Sequence, residues 1–124
     1  VKSILSILFM VISLTVFGQI RDITVRGNYI TVFGENNKVL TQKYIQSDAD
    51  FIGSSDKIFV IRRGNYVKVY DCHGKKMSQL YIDKDSRVTW VYSNGFNLRV
   101  GSYIKRYDVN CRQKSQRYTP NGNN

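Results

Sequence analysis

The side chains best suited to chemistry meet at one turn, where Asp71, Cys72 and His73 follow one another and His73 is the only histidine of the chain. A thiol beside an imidazole could act as a nucleophile with its base, or begin a metal site together with Cys111. Neither reading has the spacing that it needs. A nucleophile requires a base in hydrogen-bond reach and a third group to orient that base, whereas neighbours in an extended segment point to opposite faces. A metal site takes three or four ligands, and no H-x-x-x-H or C-x-x-C spacing occurs. The carboxylates are Glu35 and eight aspartates, and no spacing among them sets two across one cleft, as a glycosidase would require. Asp71 and Asp108 read as turn residues that bond their own backbone. The sequence therefore assigns no catalytic residue, no metal ligand and no cofactor.

Binding chemistry is better represented than catalysis. Tyr66, Lys68 and Tyr70 recur as Tyr103, Lys105 and Tyr107, an alternation of rings and cations that forms the candidate binding surface. Rings that stack and cations that attract anions suit an acidic protein, an anionic glycan or a nucleic acid. The aromatics recur at a packing period, which disfavours the nucleic-acid reading. Cys72 and Cys111 are the two cysteines, and in an exported chain they could form a disulfide if their Cα atoms approach within about 7 Å.

The elements that position these residues are repeated. Gly27-Asn28-Tyr29-Ile30, Gly64-Asn65-Tyr66-Val67 and Gly101-Ser102-Tyr103-Ile104 are spaced by 37 residues. The same step relates Phe33, Tyr70 and Tyr107, and then Tyr44, Tyr81 and Tyr118. Self-similarity at such a period marks a stack of one supersecondary unit, here with phrases that start near 26, 63 and 100. The second copy divides into short strands: Tyr66 to Tyr70, Lys76 to Ile82, Arg87 to Tyr92 and Phe96 to Val100, separated by turns at Asp71-Cys72-His73-Gly74 and Ser93-Asn94-Gly95. The expectation is an all-β chain of about eleven strands, arranged as three roughly four-stranded antiparallel meanders. Period-2 parity sends Ile30, Val32, Val67, Val69 and Ile104 to a buried face and the tyrosines to an amphipathic one. Counting back 37 residues from Asp50–Ser54 lands before residue 18, so the first copy is expected to lack its leading strand.

The stretch Tyr66-Val67-Lys68-Val69-Tyr70-Asp71-Cys72-His73-Gly74-Lys75 resembles the V-x-V-Y-D-x-x-G-K strand and turn of bacterial β-propeller blades. It is also similar to small exported bacterial proteins with a repeated G-N-Y-I-K-x-Y-D phrase. The first copy departs with Gly34 in the place of Asp71, and the third with Cys111 in the place of the turn glycine. The resemblance implies propeller-like meanders and carries over no functional residue. A β-trefoil or another closed three-repeat barrel is the alternative, because three copies would close it within one chain.

The ends and the charge complete the expectation. Lys2 precedes an apolar run from Ile4 to Phe17, too short to span a membrane, and Gly18-Gln19 suits cleavage. Residues 1–18 are thus expected to be a secretory signal peptide and 19–124 a single secreted or periplasmic domain. That domain holds 18 of the 19 Lys and Arg residues against 9 Asp and Glu, a net charge of about +9. The function expected is an exported, non-enzymatic binding or interaction module for an acidic protein or anionic glycan. A small secreted enzyme such as a glycan-active hydrolase and a nucleic-acid-binding protein are the alternatives. The missing strand also leaves an open edge, through which a homodimer could form.

Overall fold

The computed structural model describes residues 19–120. The expected signal segment and its cleavage point before Gln19 fall outside or at the limit of these residues. The described chain is all-β, with one short 3-10 turn at Glu35–Asn37 and no helix long and apolar enough to cross a membrane. Its strands are β1 (Asp22–Arg26), β2 (Tyr29–Phe33), β3 (Val39–Tyr44), β4 (Ala49–Ser54), β5 (Ile58–Arg63) and β6 (Tyr66–Asp71). They continue as β7 (Lys76–Tyr81), β8 (Arg87–Tyr92), β9 (Gly95–Val100), β10 (Tyr103–Asp108) and β11 (Gln113–Tyr118).

These strands form three antiparallel sheets in the orders β1-β2-β3, β4-β5-β6-β7 and β8-β9-β10-β11. The first sheet has three strands, as the count back from Asp50–Ser54 predicts. Each sheet is a simple meander, because short polar turns join strands that are consecutive in the chain. Gly27, Gly64 and Gly101 take φ of 56°, 58° and 58° in the turns before β2, β6 and β10, a conformation that a Cβ would penalise. The sheets do not close on one another, so the closed three-repeat barrel weighed from sequence is not formed: every sheet ends in two unpaired edge strands among the described residues.

Packing between sheets supplies two cores. Ile30 and Val32 of β2 meet Phe59 and Ile61 of β5 and Tyr70 of β6, with Ile20 and Ile45 at the margin. On the opposite side of the middle sheet, Val60, Val67 and Val69 meet Phe96 and Leu98 of β9. The middle sheet is therefore covered on both faces, and β5 reads Ile58-Phe59-Val60-Ile61 without a polar interruption, all buried. Parity sends Ile30, Val32, Val67 and Val69 into the cores as expected, whereas Ile104, though buried, lies with Arg99 and Arg117 on the other face of the third sheet and belongs to neither core.

The tyrosine face differs from its expectation. A neighbouring sheet covers part of it, so Tyr70 is buried and stacks on Phe59 at 5.2 Å, while Tyr107 stacks on Phe96 at 5.4 Å. Gly95 also serves another purpose than the left-handed turn that an Asn-Gly pair favours. Neither Asn94 nor Gly95 has positive φ, and a Cβ on Gly95 would overlap the carbonyl oxygen of Tyr107 on the adjacent strand. The hairpin forms as expected, but close strand approach is what requires the glycine.

Candidate binding surfaces

The six residues singled out for binding separate into two environments. Tyr66 and Tyr103 are exposed at the outer end of the sheets, where each makes an edge-to-face pair with the tyrosine opposite it, Tyr81 at 5.5 Å and Tyr118 at 5.4 Å. Tyr29 and Tyr44 repeat the arrangement at 5.6 Å in the first sheet. Strand register causes this, since Tyr29 faces Tyr44, Tyr66 faces Tyr81 and Tyr103 faces Tyr118. Lys68 and Lys105 are half-buried beside them. Tyr70 and Tyr107 are packing residues instead, and burial raises both phenol pKa values, with Cys111 adding to the effect on Tyr107. The candidate surface thus contracts to the exposed tyrosine pairs and their lysines. Lys43 extends it by placing its ammonium 4.6 Å from the ring centre of Tyr70.

The cysteine and histidine candidates do not converge. Cys72 packs against the first core and Cys111 against the second, while His73 is exposed. Both thiols are free, so the disulfide considered between Cys72 and Cys111 is not made: the turns that carry them serve different sheet interfaces. Burial pushes both thiols up in pKa, with the neighbouring Asp71 and Asp108 carboxylates acting in the same direction on Cys72 and Cys111 respectively. Cys111 sits within 3.1 Å of the Ser78 hydroxyl, which itself donates to the Val109 carbonyl. A protonated, packed thiol is a poor nucleophile. No group of three or more His, Cys, Asp or Glu side chains converges among the described residues.

Asp71 and Asp108 bond their own turns. Asp71 Oδ1 accepts from the backbone of His73 and Lys75, and Asp108 Oδ1 accepts from Asn110 and Arg112. The backbone bond from Arg112 leads the causes that hold the Asp108 carboxyl below its ordinary pKa. Their chemistry is structural, as turn geometry requires.

Two groupings escape a reading of motifs. Gln19, Asp56 and Ser93 lie 37 residues apart, and Asp56 accepts from both partners, from Gln19 Nε2 at 3.1 Å and from the Ser93 hydroxyl. Its backbone carbonyl also takes the Ile20 amide at 2.6 Å. One carboxylate in the β4–β5 turn thereby links the segment before β1 and the β8–β9 turn, and the Ser93 bond is the main cause that lowers its pKa. The second grouping is the arginine-rich outward face of the third sheet. Its first sign in the sequence is Arg106, which stands where Val32 and Val69 predict an aliphatic residue, and Arg117 likewise replaces Leu80.

No protein-family model matches this chain, and no curated protein matches it either.

Proposed function

We propose that the protein is an exported, non-enzymatic binding module whose basic surface engages an anionic partner, with its three sheets stacked as propeller-like blades. The observation that carries this reading is the charge that the fold leaves unsatisfied. Of the 18 Lys and Arg residues in 19–120, three make an ion pair among the described residues: Arg21 with Glu35, Arg63 with Asp48 and Lys114 with Asp108. The first two pairs are largely exposed and contribute little to stability, while the third has a mostly covered Asp108. Arg62 and Arg99 are further bound to backbone carbonyls, of Gly64, Ser86 and Lys84 and of Thr119 respectively, and the remaining cations are available to a partner, whose local concentration and association rate they raise. The exposed tyrosine pairs add amphipathic contact area beside those cations.

The blade reading draws on the stacking order. The aliphatic side of each sheet meets the aromatic side of the next, and the 37-residue phrase recurs at equivalent strands. Export draws on the apolar run ending at Gly18-Gln19 and is tested by the N-terminus and location of the secreted product.

Retention of the 19–124 protein on a sulfated polysaccharide resin, measured across salt concentrations, tests the binding. Retention that falls steeply with salt is expected, because exposed charges are screened within about 10 Å at 0.1 M salt. Salt-independent retention removes charge as the basis, and turnover of a glycan substrate abolished by a single substitution establishes the enzyme instead.

A further inference from the structure

The third sheet turns outward a face that, in the middle sheet, is buried. At positions 37 apart, Val60, Val69 and Leu80 on the buried side of the middle sheet become Asn97, Arg106 and Arg117, and Gly53 becomes Trp90. Strand register sorts this face into two rows. Arg87, Arg99, Ile104 and Arg117 lie opposite one another in one, and Trp90, Asn97, Arg106 and Ser115 in the other. A row across four strands spans three strand spacings, about 14 Å. Because Phe96 and Leu98 on the alternate positions pack against the middle sheet, these rows point away from it.

The electrostatics of the face are unsatisfied. None of its four arginines forms an ion pair among the described residues. Arg87 stands directly opposite Arg99, an arrangement that repels until an anion lies between the two. Arg99 is only 8% exposed, and its Nη2 donates to the Thr119 carbonyl at 2.6 Å while Nη1 has no hydrogen-bond partner among the described residues. That buried guanidinium adds positive potential beneath the face, while the donors a ligand can reach belong to Arg87, Arg106 and Arg117.

The second row is held in place before any ligand arrives. Asn97 Nδ2 donates to the Tyr92 hydroxyl at 2.7 Å, and the Arg106 guanidinium lies 4.2 Å from the centre of the Tyr92 ring. Arg106 Nη2 also donates to Asn94 Oδ1 at 3.1 Å. Beside this clamp the Trp90 side chain is 62% exposed, the largest apolar surface on the face.

We propose that the outward face of the third sheet binds an acidic polysaccharide, with a pyranose ring on the Trp90 indole and carboxylate or sulfate groups on Arg87, Arg106 and Arg117. The proposal rests on the reading of the protein as an anion-binding module and gives that module its site and ligand class. An acidic sugar satisfies both halves of the surface: its C–H face is apolar enough to lie on an indole, and its anionic group fits the guanidinium fork. An acidic peptide would use the arginines and leave Trp90 without a role. A single-stranded nucleic acid stacks successive bases on several rings, but Arg106 already covers Tyr92, so Trp90 alone is free.

Trp90 is the only tryptophan, so its fluorescence reports on this face alone. Titration of the 19–124 protein with a galacturonate hexamer is expected to give a saturable change in that fluorescence, at the midpoint found by calorimetry. By calorimetry, Trp90→Ala and the double variant Arg87→Ala/Arg117→Ala should each weaken binding about tenfold, as loss of a central Trp or Arg anchor does. Lys75→Ala/Lys76→Ala removes the same charge from an exposed turn elsewhere and should change it less than about twofold. Calorimetric binding without a fluorescence change, or equal losses in the arginine and lysine variants, overturns the site and leaves anion binding standing. Tighter binding of polyglutamate or of a deoxythymidine oligomer through the same residues overturns the ligand class. A dimer that shields Trp90 from acrylamide quenching makes the face a contact between copies and also overturns it. Failure of every polyanion to bind removes the anion-binding reading itself.

Discussion

Gly95 and Asp56 each sit at a contact that joins separate segments, Gly95 against the Tyr107 carbonyl and Asp56 against Gln19 and Ser93. Gly95 is buried where β9 and β10 approach, and a Cβ there would overlap the Tyr107 carbonyl, which belongs to a paired strand and cannot move independently. Gly95→Ala should therefore cost about 3 kcal/mol or more, whereas Gly64→Ala, strained in φ but facing open space, should cost about 1 to 2. Urea midpoints of the two variants compare them, and equal losses would refute the overlap. Asp56 makes a pH prediction. Its folded pKa lies below the ordinary 3.8, so the unfolded chain takes up the proton first as pH falls. The stability it contributes is present above that ordinary value and is lost as pH drops through the lowered one. Urea midpoints measured from pH 6 to about pH 3 should fall less steeply for Asp56→Ala than for the unmodified protein. Parallel profiles would show that the Gln19 and Ser93 contacts do not hold the charge.

At the scale of strands, the edges are unequally protected. Of the six edge strands, β3, β4, β7, β8 and β11 each contain a register shift, with an extra residue at Leu40, Ile52, Met77, Thr89 and Lys114. Such bulges bend an edge away from regular pairing with a foreign strand. Only β1 among these edges pairs with its neighbour through an unbroken register, and it lies at the edge where the first sheet has no fourth strand among the described residues. Val25, 45% exposed in β1, adds apolar surface at this edge. Self-association through β1 is expected to raise the mass seen by light scattering as concentration increases, and Val25→Lys should abolish it by charging the edge. A protein that stays monomeric at high concentration would leave β1 an unused edge.

For the molecule as a whole, the two terminal sheets differ from the middle one in a consistent way. The middle sheet is apolar on both sides, while the first places Asp22 and Thr24 where β5 has Phe59 and Ile61. The third sheet places Asn97 and Arg106 where β5 and β6 have Val60 and Val69. In a stack, outer repeats keep a polar outer face because nothing covers them. Here that polarity is concentrated in arginines on one end, so the described residues present a basic, ring-bearing face on the third sheet and an unpaired strand edge on the first.

Local rules made the strands legible in the sequence. The 37-residue phrase, the glycine turns and the alternation around Ile30 and Val67 depend on contacts within one meander, so they predict the strands and, for the first two sheets, an aliphatic side that enters a core. The same rules identified Asp71 and Asp108 as turn residues because an Asp side chain reaches its own backbone. Sheet-on-sheet packing decided what they could not. Tyr70 and Tyr66 share a strand face and a residue type, yet the first sheet covers Tyr70 and leaves Tyr66 in solvent. Cys72 and Cys111 occupy similar turns, yet they enter different cores and remain free. The arginine rows of the third sheet became a surface because no further sheet covers them among the described residues. Burial depends on which element lies across the interface, a relation between distant residues that the pattern within one strand does not contain.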